Sequence, residues 1–352
     1  MERYKMIKEI YETSLSLRKL FESEKDNIDK IADNIRKYNP TFAILAGRGS
    51  SDNACIYGQY ILESIAKLPV SFAAGSIYAL YKSPPNILRG LVIGISQSGE
   101  TEDVCAVIDY SERKKVISVV ITNSKESTLY NLAKENKIYL HAGKEESVCA
   151  TKSFSASMIA LLMLAFSLNK ERLDIEKIID PVEEILTNRD RIMQIAQQYI
   201  FSNNIVVLGT GFSYSVALET ALKLKEACYI NAIGMSSVDF VHGPIAILTP
   251  TTPVIIYAPD DPTLEVNLSV INEIRQIGSH VLVISDNEEV TRKGDLGFII
   301  PKSKPFIYPF TETIFAHMFA FYLSISRKIN PDTPRYLHKV TKLANSHNGK
   351  DK

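Results

Sequence analysis

Two stretches of this chain, about 160 residues apart, repeat one pattern, and that repeat limits the possible folds more than any other feature. In the first, the apolar run Phe42–Ala46 leads into Gly47-Arg-Gly49-Ser-Ser51-Asp-Asn53 and a helical pattern from Ala54 to Ala66. In the second, Ile205–Leu208 leads into Gly209-Thr-Gly211-Phe-Ser213 and a helical pattern from Val216 to Ala227. Each reads as strand, glycine turn, helix. Further apolar strands follow in both copies, Leu91–Ile95 and Val116–Thr122 in one, Val254–Tyr257 and His280–Ser285 in the other. Continuous apolar strands alternating with helices predict mostly parallel sheets covered on both faces, hence an α/β chain of two tandem domains. Its 352 residues suffice for two cores that together bury roughly three quarters of the unfolded surface.

The expected division is an N-terminal helical arm over 1–40, a first domain over 41–170, a charged helical connection over 171–196, a second domain over 197–328 and a C-terminal tail over 329–352. In the arm, Ile7, Ile10, Leu15, Leu17 and Leu20 fall at loosely helical spacing, and arm and tail could each cross to a neighbouring subunit. Lys+Arg and Asp+Glu balance at 40 each, so no basic field is available for nucleic acid and any anion needs a local site. Cys55, Cys105, Cys149 and Cys228 lack metal-finger or Cys-x-x-Cys spacing and read as reduced packing residues of a cytoplasmic protein. The N-terminus lacks the apolar core of a signal peptide, and the longest apolar run, Met158–Leu168, is too short to span a bilayer, so no membrane partner is expected. The six histidines show no ligand spacing, so no metal is expected, and the third glycine of the dinucleotide fingerprint is missing from both copies.

The copies differ in their polar loops. After its second strand the first copy has Ser96-Gln97-Ser98-Gly99-Glu100-Thr101, opening a helix over 102–113. Hydroxyls, an amide and backbone N–H groups at a helix N-terminus make a phosphate cradle, with Gly99 allowing close approach. Helix capping accounts for one such residue, not for four polar residues in six. Ser51 and Asn53, facing the same strand-end crevice, read as further sugar-phosphate ligands. The matching loop of the second copy, Ala258-Pro259-Asp260-Asp261, has no hydroxyls and two negative charges, and should repel phosphate. The second copy instead offers Lys223 and Glu226, three residues apart on one helix face, and His242 before Gly243-Pro244. Such a Lys/Glu pair is commonly a solvated surface pair, and a lone loop histidine is commonly structural. As functional groups they would suit proton transfer.

Taken together, these residues resemble the SIS (sugar isomerase) domain family, and within it the isomerase half of glucosamine-6-phosphate synthase and the related glucosamine-6-phosphate deaminases. The resemblance runs from about Met6 to Lys342 and rests on six ordered landmarks: Met6-Ile-Lys-Glu-Ile-Tyr-Glu, Ser96-Gln-Ser-Gly-Glu-Thr, Ala150-Thr-Lys-Ser-Phe, Ala217-Leu-Glu-Thr-Ala-Leu-Lys-Leu-Lys-Glu, Val241-His-Gly-Pro and Pro334-Arg-Tyr-Leu-His-Lys. It implies that Ser51, Ser96, Gln97, Ser98 and Thr101 hold the sugar phosphate while Val148 and Cys149 line the sugar. Glu226 would move a proton between C1 and C2, His242 open the ring, Lys223 stabilise charge on substrate oxygens and Lys339 meet the carbonyl carbon. It also implies a homodimer with a shared active site, the histidine being lent by the partner. The family's N-terminal glutaminase, with its nucleophilic cysteine, has no counterpart at Glu2, so the expected reaction is deamination of glucosamine 6-phosphate to fructose 6-phosphate and ammonia. The alternatives are a phosphosugar isomerase, a galactosamine-6-phosphate deaminase, a fructosyl-amine-6-phosphate deglycase, or a non-catalytic sugar-phosphate sensor. A sensor has no use for Glu226, Lys223, His242 and Lys339.

Overall fold

The computed structural model describes residues 4–337, so Lys339 and His338 lie outside the described residues. The arm forms α1 (Lys5–Tyr11) and α2 (Thr13–Tyr38). The first domain follows as β1 (Phe42–Ala46), α3 (Ser50–Ser64), β2 (Val70–Phe72), α4 (Gly75–Ala79), β3 (Gly90–Ser96), α5 (Glu102–Arg113), β4 (Ser118–Thr122), α6 (Thr128–Leu132), β5 (Lys137–Tyr139) and α7 (Lys152–Leu168). Helices α8 (Glu176–Thr187) and α9 (Arg189–Gln197) lead to the second. That domain comprises β6 (Asn204–Gly209), α10 (Tyr214–Cys228), β7 (Asn231–Met235), α11 (Ser237–Val241), β8 (Val254–Tyr257), α12 (Leu264–Ile277), β9 (Val281–Ser285), α13 (Glu288–Thr291), β10 (Leu296–Ile299) and α14 (Tyr308–Ser326).

Each domain holds a five-stranded parallel sheet, ordered β2-β1-β3-β4-β5 and β7-β6-β8-β9-β10, so the duplication extends to strand order. In both, the order reverses beside the first strand, at β1/β3 and β6/β8. The crevice outside the carboxyl ends of the strands at such a switch point is where open α/β sheets bind ligands. The apolar pattern finds the three central strands of each domain but not β2, β5, β7 and β10. These are edge strands of three to five residues with partly exposed side chains, and they carry little apolar signal.

Alternation along the strands divides the interior into layers. Ala43, Leu45, Leu91, Ile93, Val119 and Ile121 from the first sheet share one core with Ile205, Val207, Ile255, Leu282 and Ile284 from the second. Their neighbours Ile44, Val92 and Val120, and Val206, Ile256 and Val283, fill two separate outer cores. Each fully buried Leu, Ile or Val contributes about 1.5–3 kcal/mol. The shared core contains α7 and α14, both buried on every side, which explains why the apolar run Met158–Leu168 has no polar face without being a membrane span. Among the described residues no helix is long and apolar enough to cross a membrane.

The arm belongs to this core: Met6, Ile7, Ile10, Leu17, Leu20, Ile28, Ile31 and Ile35 are buried, and α2 packs along α7 of its own chain. Leu15 breaks the expected stripe and is 66% exposed. The two domains meet through α3 and α10, which pack against one another and bring the first residues of α3 onto the flank of α10.

Candidate functional site

The loop Ser96–Thr101 joins β3 to α5 at the first switch point. Ser96 Oγ lies 2.9 Å from Thr101 Oγ1 and 3.5 Å from Ser98 Oγ, so three hydroxyls converge at the start of a helix. The outside of the loop is fastened: Glu100 accepts from Thr128 N at 2.9 Å and Thr128 Oγ1 at 2.7 Å, Leu129 N donates to Gly99 O at 2.9 Å, and Asn123 N donates to Gln97 O at 3.1 Å. Gly99 has φ +70°, and a Cβ there would stand 2.0 Å from Ser127 Oγ, so no other residue fits without moving α6. This ledge of Ser127, Thr128 and Asn123 behind the cradle has no sequence signature. Arg48, in the first glycine turn, pairs with the buried Asp103 of α5, joining the β1 and β3 loops into one rim.

On α10 Lys223 is fully buried, which removes the solvated-surface reading of its pair with Glu226. Lys223 Nζ donates to Glu226 Oε2 at 2.5 Å and to Ser50 Oγ at 3.2 Å, and stands 3.4 Å from Glu219 Oε1. Glu219, one turn earlier and fully buried, is the residue that sequence reasoning missed. It accepts from Ser50 Oγ at 2.9 Å and Asn53 Nδ2 at 2.8 Å on α3, with His317 Nε2 of α14 3.5 Å away. Asn53, expected at the phosphate, therefore ties the two domains together through its amide. Burial works to raise the pKa of Glu219, but Lys223 above all, with His317 and Asn53, carries it down to about 2. Burial works to lower the pKa of Lys223, and Glu219 and Glu226 outweigh it, so the ammonium is held protonated above the ordinary lysine value. Only Glu226 of the three keeps an opening, with its side chain 22% exposed against none for Glu219 and Lys223. It is the one member of this cluster open to solvent.

Ser51 stands in the first turn of α3, beside Ser50, and Gln97 is half-buried in the cradle loop. Val148 and Cys149 lie between β5 and α7, and Cys149 is 1% exposed. Burial pushes the Cys149 thiol up to about 12; Lys223 opposes that rise while Glu226 and Glu219 add to it, which sets the thiol beside the α10 charges. His242 is exposed just after α11. The buried charges and Cys149 thus come together through α3, α10 and the segment before α7, with the cradle at the end of β3, the strand beside the β1 that leads into α3.

The second switch point is chemically the inverse of the first. Asp260 N donates to Asp286 Oδ1 at 2.7 Å, Tyr308 Oη to Asp286 Oδ2 at 2.9 Å, and Thr263 fastens Asp261. One helical turn from Tyr308, the fully buried Glu312 accepts from Ser213 Oγ at 2.8 Å through Oε1, while Oε2 has no partner among the described residues. Burial pushes its pKa up to about 8 against the Ser213 bond, with Asp261 and Asp286 adding to the rise. A carboxyl raised in this way stabilises the fold fully below its ordinary value of 4.5 and loses that contribution as pH climbs to about 8. Glu312→Gln is therefore expected to gain stability relative to the unaltered protein across that interval and to hold the gain at higher pH. Urea unfolding at about pH 5, 7 and 9 checks this; a difference that does not change with pH contradicts it.

With this geometry in view, a family model for the SIS domain matches residues 39–167 and 198–327, one match on each sheet. The glutamine–fructose-6-phosphate aminotransferase (isomerizing) of Pyrococcus horikoshii is 32% identical over 344 residues, covering 95% of this chain and 57% of that protein. The chain thus spans little more than half the length of such relatives. Among solved structures, a glucosamine-6-phosphate deaminase from Thermotoga maritima superposes with a TM-score of 0.75 at 26% identity, covering 95% of this chain and 98% of that one. The C-terminal domain of a glucosamine-fructose-6-phosphate aminotransferase from Francisella tularensis shares the fold, with a TM-score of 0.81 at 24% identity over 94% of this chain and 98% of that one.

Proposed function

The chain belongs to the SIS domain family, and from that premise we propose that it is an enzyme of the phosphosugar isomerase type whose reaction converts glucosamine 6-phosphate and water to fructose 6-phosphate and ammonia. The observation that carries the reading is the seam of α3 and α10, where Ser50 and Glu219 hold the buried Lys223–Glu226 pair at the helix that follows β1, the strand paired with the β3 that leads into the hydroxyl cradle. In this reading Ser51, Ser96, Gln97, Ser98 and Thr101 bind the phosphate, and Val148 with Cys149 forms the wall beside the sugar. With the ring opened, Glu226 takes the proton from C2 and returns it to C1, leaving an imine at C2 that water hydrolyses to the ketose and ammonia. Lys223, fixed as a cation, offsets the charge that builds on oxygen while the proton is away from carbon. His242 opens the ring and Lys339 acts as an amine toward the carbonyl carbon. The exposure of His242 fits a homodimer in which it serves the neighbouring subunit's site. The similarity to the Thermotoga maritima deaminase supports the amine-releasing direction.

The test is to incubate the purified protein with glucosamine 6-phosphate, galactosamine 6-phosphate, a fructosyl-amine 6-phosphate and plain hexose 6-phosphates, following ammonia and ketose phosphate. Ammonia and fructose 6-phosphate in equal amounts from glucosamine 6-phosphate is the expected result. Interconversion of plain hexose phosphates without ammonia from any amino sugar would replace the reading with an isomerase.

A further inference from the structure

Asp332 occupies an unusual position for a residue in the last part of a chain. Its carboxylate accepts from two backbone donors at the very start of α1, Lys5 N to Oδ2 and Met6 N to Oδ1, each at 2.8 Å. These are the unpaired N–H groups that every helix N-terminus presents, and the negative charge also suits the helix dipole. Through its own carbonyl Asp332 accepts from Val148 N at 3.4 Å, and Pro331 O lies 3.8 Å from Cys149 Sγ. From the other side Glu9 of α1 accepts from the backbone of Glu146 and Ser147, and Glu12 accepts from Lys152 Nζ at 2.6 Å. Three residues beyond Asp332, Arg335 N donates to Tyr229 Oη at 2.8 Å, at the end of the helix that carries Glu226. One residue thus sits where the arm, the 146–149 segment and the root of the C-terminal tail converge.

We propose that Asp332 is a positioning residue of the sugar site, holding the backbone of Val148 and Cys149 in place by anchoring it to α1. It touches no substrate atom itself. The inference rests on the reading of Val148 and Cys149 as the wall beside the sugar. The phosphate cradle is fastened independently, by Thr128, Leu129 and Asn123, and does not share these contacts. Removing the Asp332 carboxylate therefore loosens the sugar wall and leaves phosphate binding alone, a split that general destabilisation would not produce.

The test uses Asp332→Ala and Lys5→Pro. Lys5 is the first residue of α1, where proline is accepted and removes the N–H together with the lysine side chain, and Tyr4 before it is already extended. Lys5→Ala keeps the N–H and loses only the exposed ion pair with Glu146, so it serves as the control. Binding of fructose 6-phosphate and of inorganic phosphate is measured by calorimetry, with amide exchange followed over residues 5–6 and 146–149. Asp332→Ala should weaken fructose 6-phosphate by about tenfold, the scale of one lost hydrogen bond to a charged group. It should leave inorganic phosphate unchanged and speed exchange at both segments, with Lys5→Pro moving the same way by less and Lys5→Ala not moving. Unchanged sugar-phosphate affinity and exchange, or equal weakening of both ligands, would overturn the proposal. Should the unaltered protein bind no hexose phosphate, the functional reading fails by itself. Exchange alone then decides the anchor, which stands if 146–149 loses protection in Asp332→Ala and falls if it does not.

Discussion

Replacing Glu226 by glutamine is expected to lower kcat by roughly two to four orders of magnitude while fructose 6-phosphate affinity stays within about threefold, the range that a positioned general acid/base contributes. The amide keeps the shape of the carboxylate and can still meet Lys223, so the pocket survives; what it cannot do is accept a proton from carbon. Glu219 cannot take over. It is fully buried, and Ser50, Asn53 and Lys223 engage both its oxygens. Kinetics together with proton exchange at C1 and C2 in deuterium oxide checks the point. A near-normal kcat in Glu226→Gln, or a loss confined to affinity, contradicts the assignment.

Lys223→Met should produce the largest loss of stability of any single change at the site, about 3–5 kcal/mol by urea unfolding at neutral pH, because it leaves Glu219 buried without its main counter-charge. The sign of its pH dependence follows from the same charges. In the unaltered protein Glu219 is depressed to about 2, so its contribution is present above the ordinary 4.5 and lost as pH falls toward 2. Without Lys223, burial is opposed only by His317 and Asn53, so the pKa of Glu219 is expected to move up and the variant to regain stability as acid protonates it. The deficit of Lys223→Met is thus expected to be larger at about pH 8 than at about pH 4.5. Adding Glu219→Gln should recover part of it, since the two sites are in contact and not additive. A deficit below about 1 kcal/mol would mean that Lys223 is not the counter-charge that holds this cluster.

The parts of this molecule legible from sequence are those written as local pattern. Apolar strands ending in Gly47-Arg-Gly49 and Gly209-Thr-Gly211 specify the duplication and the parallel sheets, and the hydroxyls of Ser96–Thr101 stand out because they cluster within six residues. What was not legible depends on contacts between distant parts of the chain. Glu219 looks like any polar residue of an amphipathic helix until Ser50, Asn53 and His317 are brought round it, from positions at least 98 residues away. Glu9 and Glu12 carry no sequence signal that sets them apart, yet they reach the loop before α7 and its first turn. Asn53 reads as a sugar-phosphate ligand because it faces the strand-end crevice, whereas the fold turns its amide toward Glu219 of the other domain. Edge strands such as β2 and β10 escape because they are short and only partly buried, which erases the continuous apolar run that marks their central neighbours.

A crystal structure with fructose 6-phosphate bound tests the division of labour between the two domains most directly. The phosphate is expected within hydrogen-bonding distance of Ser96, Ser98 and Thr101, with C1 and C2 directed at Glu226. A phosphate lodged instead at the second switch point, against Asp260 and Asp286, would contradict it.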